Sequence, residues 1–106
     1  NYRIYRIWKN IKNRCYGSHN TRWYKDEGVY VCDEWKNNFN AFYEWAMSNG
    51  YDDTKEIDKD MKCDHFEISP KRYSPDACIW IDKKVNTRYS TLKDLVMKRE
   101  LRSAYI

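Results

Sequence analysis

The feature that most constrains this chain is a helical period in its middle. Trp35, Phe39, Phe42 and Ala46 recur at intervals of four, three and four, with Tyr43 and Trp45 at the flanks. Apolar residues at that spacing line one face of a helix, and rings of this size are costly to leave in water. The segment predicts a long amphipathic helix that begins with Asp33 in the N-cap place and ends at Asn49-Gly50, a C-cap pair. Such a helix needs apolar partners from elsewhere in the chain.

The N-terminal segment offers one, because Ile4, Ile7, Trp8, Ile11 and Cys15 follow helical spacing with Arg6, Lys9 and Lys12 on the opposite side. Gly17, Ser18 and Asn20 end it, and a polar loop containing Trp23 and Tyr24 runs to Glu27. Val29-Tyr30-Val31-Cys32 is a short β-prone run. Glu56-Ile57-Asp58 and Cys78-Ile79-Trp80-Ile81 predict two strands of an antiparallel hairpin. The long polar connection between them carries Ser69-Pro70 and Ser74-Pro75, which predicts an irregular tip. Lys83 to Arg88 predicts a helix or turn against the hairpin, and Thr91-Leu92-Lys93-Asp94 resembles a capping box opening a separate C-terminal helix to Arg102.

A chain of 106 residues makes one domain. The expected class is α+β: a helical part over 1–50, a hairpin-helix unit over 51–90 and a C-terminal helix over 91–106. A mean hydropathy of −1.04 with 34% charged residues points toward disorder. The 5 Trp, 10 Tyr and 3 Phe answer it with large apolar surfaces that disordered chains lack, so the chain is expected to fold, with Trp8, Trp35, Phe42 and Trp80 in the core. No apolar run approaches the roughly 18 residues of a membrane helix, and no secretion signal is visible, so a cytoplasmic setting without a membrane partner is expected.

The net charge of +4 is unevenly spread: +7 over residues 1–25, −7 over 26–60 and +4 over 61–106. Basic segments on either side of an acidic middle would attract a polyanion, with nucleic acid the first candidate and a solvated mixed-charge surface the alternative.

Several motifs, in order, resemble the HNH (His-Asn-His) endonuclease family, and in particular its small phage-encoded, degenerate members. They are Ile7-Trp8-Lys9-Asn10-Ile11-Lys12-Asn13-Arg14-Cys15-Tyr16, Gly28 to Trp35, Phe39 to Trp45, Ile57-Asp58-Lys59-Asp60, and Tyr73-Ser74-Pro75-Asp76-Ala77-Cys78 with Trp80 and Asn86. The resemblance implies a ββα finger holding a divalent metal, with a His at the end of the first strand activating water. At that place this chain has Lys59, which as an ammonium cannot accept the proton. A rival alignment uses Asp64-His65, making His65 the general base and Asn86 a metal ligand, with Asp64 or Asp60 assisting; Ala77 then replaces the middle Asn. His19 has less support.

The implied partner outlasts the lost catalytic set. The resemblance implies DNA or another nucleic acid bound through phosphate contacts from Lys59, Lys71, Arg72, Lys83, Lys84 and Arg88, joined by Arg14, Arg22 and Lys25. Trp23, Tyr24 and Tyr73 are candidates to stack on bases. The expected function is nucleic-acid binding without efficient cleavage, in the host cell of a phage. The alternatives are a phage inhibitor that binds a host protein or nucleoprotein complex, and an active metal-dependent endonuclease. The cysteines, Cys15, Cys32, Cys63 and Cys78, contain no C-x-x-C pair and are expected to be scattered buried thiols. Zinc held by Cys63, His65 and Cys78 with Cys15 or Cys32, and two disulfides, are the alternatives.

Overall fold

The computed structural model describes residues 2–17 and 28–104, with side chains through 93 and that of Leu95. Helix α1 (Tyr2–Tyr16) buries Ile4, Trp8, Ile11 and Cys15, the face that the spacing predicts. Strand β1 (Tyr30–Val31) leads into two helices, α2 (Asp33–Lys36) and α3 (Phe39–Ser48), where the periodicity predicts one. The break is at Asn37-Asn38. Asn38 is extended and its side chain accepts from the Ala41 N–H at 3.2 Å, starting a new helix, while Cys32 rather than Asp33 stands at the N-cap of α2. An Asn side chain competes with helical hydrogen bonds, and a turn of the chain here brings Trp35 against Phe42 at 5.0 Å and Trp45 at 4.7 Å. Helix α3 ends at Asn49, with Gly50 at a positive φ of 88°.

Strand β2 (Lys55–Asp58) pairs antiparallel with β4 (Ile79–Asp82), Ile57 opposite Trp80. The connection is more ordered than an irregular tip: it holds α4 (Asp60–His65) and β3 (Arg72–Tyr73). Strand β3 runs parallel to β1, Tyr30 facing Arg72, a pairing of distant segments that no local pattern announces. Helix α5 (Lys83–Ala104) continues directly from β4, so the expected second helix start at Thr91 does not occur. The Thr91 hydroxyl instead donates to the Thr87 carbonyl at 3.0 Å, one turn back inside the helix.

This is a mixed α+β domain whose core is largely aromatic. Trp35, Phe42, Ile4, Ile11, Val31 and Cys78 are fully buried, and Trp8, Cys15, Val29, Ala46, Tyr73 and Trp80 complete the cluster. Trp8 Nε1 donates to the Trp35 carbonyl at 2.6 Å, fastening α1 to α2. Arg3 fastens the start of α1 to the hairpin, donating to the Lys55 carbonyl at 2.8 Å and the Tyr51 hydroxyl at 3.0 Å. Among the described residues no helix is long and apolar enough to cross a membrane.

Candidate functional site

The hairpin delivers the chain into α5 at Lys83, so the first turns of that helix carry Lys83, Lys84 and Arg88 at its surface. All three are exposed, line a shallow groove with Thr87, Thr91 and Leu92, and take part in no ion pair among the described residues. Cations that already have a carboxylate partner must give it up to bind a phosphate; among the described residues these three have none to give up.

The other predicted contact residues differ. Lys59 is only 6% exposed, its ammonium 3.1 Å from Asp60 and 5.4 Å from the centre of the Tyr73 ring, so burial removes it from the phosphate set. Tyr73 is 2% exposed, which corrects its assignment as a stacking platform: its ring is core, and its hydroxyl accepts from Arg14 at 3.4 Å. Lys71 is held between Asp60 at 3.0 Å and Asp64 at 3.1 Å. The Arg72 guanidinium bonds the Ser69 and Pro70 carbonyls and lies over the Tyr30 ring at 5.5 Å. Arg14 is exposed. Arg22, Trp23, Tyr24, Lys25 and His19 lie outside the described residues.

The structure does not bring His65 and Asn86 into one site. His65 is exposed at the end of α4, edge-on to Phe66 at 4.7 Å, in a groove with Met61, Lys62, Asp64, Ile79 and Tyr89. Asn86 lies in a different cleft and donates from Nδ2 to Glu56 Oε2 at 3.2 Å. Asp64, the expected assistant of His65, is committed elsewhere: it accepts from the Tyr89 hydroxyl at 2.6 Å and pairs with Lys93 at 2.9 Å and Lys71. Desolvation pushes its carboxyl up, but the donors Lys93, Tyr89 and Lys71 outweigh that and hold it down at about 2. Asp60 is likewise held below the usual carboxylate range, the ammonium groups of Lys59 and Lys71 outweighing desolvation.

The zinc set fails on burial. Cys63 and Cys78 are in the core while His65 faces solvent, and all four thiols are free. Among the described residues no three His, Cys, Asp or Glu side chains converge as metal ligands. Burial pushes the Cys15 thiol up to about 11 and raises those of Cys78 and Cys32, as expected of thiols packed in a core. Among the described residues, therefore, neither the zinc set nor the His65 and Asn86 pair is brought together as a metal site.

One site was missed in the sequence. Arg3, Ile7, Asn10 and Arg14 stand at helical spacing on a second face of α1 and border a cleft of about 200 Å³, closed by Glu56 and Ile57 of β2, Ile11, and Asn86 of α5. The spacing at 3, 7, 10 and 14 was available, but nothing local pairs that face with a strand 40 residues on. The chain matches no protein-family model, no curated protein and no solved structure.

Proposed function

We propose that this chain binds nucleic acid through the outer face of α5 and does not cleave it efficiently. The observation that carries this reading is the run of Lys83, Lys84 and Arg88 on successive turns, exposed and without acid partners among the described residues. Of the other basic side chains of the hairpin unit, Lys59 and Lys71 are engaged by Asp60 and Asp64, and Arg72 by the Ser69 and Pro70 carbonyls. The hairpin-then-helix order agrees with the ββα arrangement that the HNH resemblance implies. The separation of His65 from Asn86 supports binding over cleavage. Phosphate contacts of this kind give affinity and position without reading sequence.

Fluorescence anisotropy with labelled duplex DNA at several salt concentrations tests this. Each phosphate contact contributes a slope of about −0.9 in log K against log salt on duplex, so replacing Lys83, Lys84 and Arg88 together by Ala flattens the slope by about 2–3. An unchanged slope removes the reading. A protein partner, such as a host defence or nucleic-acid enzyme, is the second reading, favoured by Val85, Leu92 and Leu95 exposed at 44%, 54% and 56% on the same helix. No binding to duplex at low salt turns the case toward it.

A further inference from the structure

The cleft between α1 and the hairpin gathers more polar chemistry than packing requires. Ile7, Ile11 and Ile57 give it apolar walls, and Asn10, Asn86 and Glu56 give it two carboxamides and one carboxylate. Arg3 and Arg14 mark its two ends, about 16 Å apart along the helix axis at 1.5 Å per residue. Arg3 is anchored to the Lys55 carbonyl and the Tyr51 hydroxyl, and Arg14, exposed at the other end, donates to the Tyr73 hydroxyl at 3.4 Å. Its volume of about 200 Å³ is below the roughly 300–1,000 Å³ of pockets for drug-sized ligands, which suits one planar ring system.

We infer that this cleft takes a single unpaired guanine, with Glu56 reading its base edge and Arg14 meeting its phosphate. The inference rests on the nucleic-acid reading above and gives it a substrate class. A carboxylate is acceptor-only and its two oxygens can receive two parallel N–H groups. Among the common bases only guanine offers two adjacent N–H donors, N1–H and N2–H, beside a carbonyl acceptor, O6. Glu56 supplies the matching pair of acceptors. Asn86 Nδ2, now 3.2 Å from Glu56 Oε2, supplies an N–H for O6 when the base displaces it, and Asn10 stands on the opposite wall as a second donor. In a duplex this edge of guanine is already paired, so the cleft selects single strands, loops or extruded bases. Arg14 suits a phosphate because a guanidinium meets phosphate oxygens bidentately.

Isothermal titration of the whole chain with guanosine, inosine, adenosine, cytidine and uridine monophosphates tests it. Guanosine monophosphate is expected to bind at least about tenfold more tightly than the other four, inosine included, since inosine lacks only the N2 amino group. Glu56→Gln, which exchanges one acceptor for a donor without changing shape, is expected to abolish that preference. The nucleotide series on the unaltered protein gives an answer even if the variant folds poorly. Equal affinity for all five nucleotides, or binding of none, overturns the inference. If duplex binding through Lys83, Lys84 and Arg88 persists in that case, the general reading stands without the cleft. A guanine preference in a chain that ignores duplex DNA upholds the cleft and removes the α5 surface.

Discussion

The buried ammonium of Lys59 permits a sharp prediction about asymmetry. Lys59 is 6% exposed, with its charge 3.1 Å from Asp60, whereas the Asp60 side chain is 34% exposed and also held by Lys71 at 3.0 Å. Replacing Asp60 by Ala takes from an ammonium in the core the carboxylate it now meets at 3.1 Å, while the buried Asp58 carboxyl remains beside it. Removing one partner of a fully buried pair costs roughly 3–5 kcal/mol, and the exposure of Asp60 reduces this to about 2–3 kcal/mol. Lys71 retains Asp64 at 3.1 Å, so the loss falls chiefly on Lys59. Replacing Lys59 by Met keeps the aliphatic stem against Tyr73 and removes the desolvated charge, while Asp60 keeps Lys71. That change is expected to lie within about 1 kcal/mol of the parent. At about 4–8 °C per kcal/mol for a domain near this size, Asp60→Ala lowers Tm by about 8–24 °C and Lys59→Met by no more than about 8 °C. Thermal unfolding followed by tryptophan fluorescence at neutral pH separates the two. Equal losses, or a larger loss for Lys59→Met, would refute the argument that desolvation sets the balance. Lys59→Met is also expected to leave duplex affinity unchanged, because the side chain does not reach the surface.

Three further outcomes follow from the same reasoning. Trp8→Phe strands the Trp35 carbonyl that Trp8 Nε1 now bonds at 2.6 Å, at about 1–3 kcal/mol; Trp80→Phe removes a buried Nε1 that has no partner among the described residues and is expected to cost less, and urea titration reversing that order would sink the idea. Asn38→Ala deletes the cap on Ala41 N–H and is expected to cost about 1 kcal/mol, a near-neutral result meaning that the break between α2 and α3 is held by packing alone. The Asp64 carboxyl is depressed from 3.8 to about 2 in the folded chain, so its contribution is present above the unfolded value and fades as pH falls through 3.8 toward 2. Asp64→Asn should therefore lose less stability than the parent between about pH 5 and pH 2, and parallel acid curves would contradict it.

Periodicity alone determined much of the scaffold: the buried face of α1, the apolar face of α3, the β2 and β4 strands, and a core of Trp8, Trp35, Phe42 and Trp80. Those features are legible because burial of a face leaves a repeat of 3.6 or 2 within a few neighbouring residues. The exposed cations Lys83, Lys84 and Arg88 were legible for a similar reason, since they open a helix whose other side meets the hairpin. Only the tertiary structure decided the rest. The parallel pairing of Tyr30 with Arg72 joins segments with two residues apiece, too short to carry a pattern. Lys59 and Tyr73 carry polar groups that a sequence places at the surface, but Asp60 and the approach of Arg14 let both be buried. His65 and Asn86 fall in separate clefts, His65 with Ile79 and Tyr89 and Asn86 with Glu56, and the cleft of Arg3, Asn10, Glu56 and Asn86 exists only where α1 meets β2. Contacts between distant segments are chosen by the free energy of the whole packed chain, and no local spacing records them.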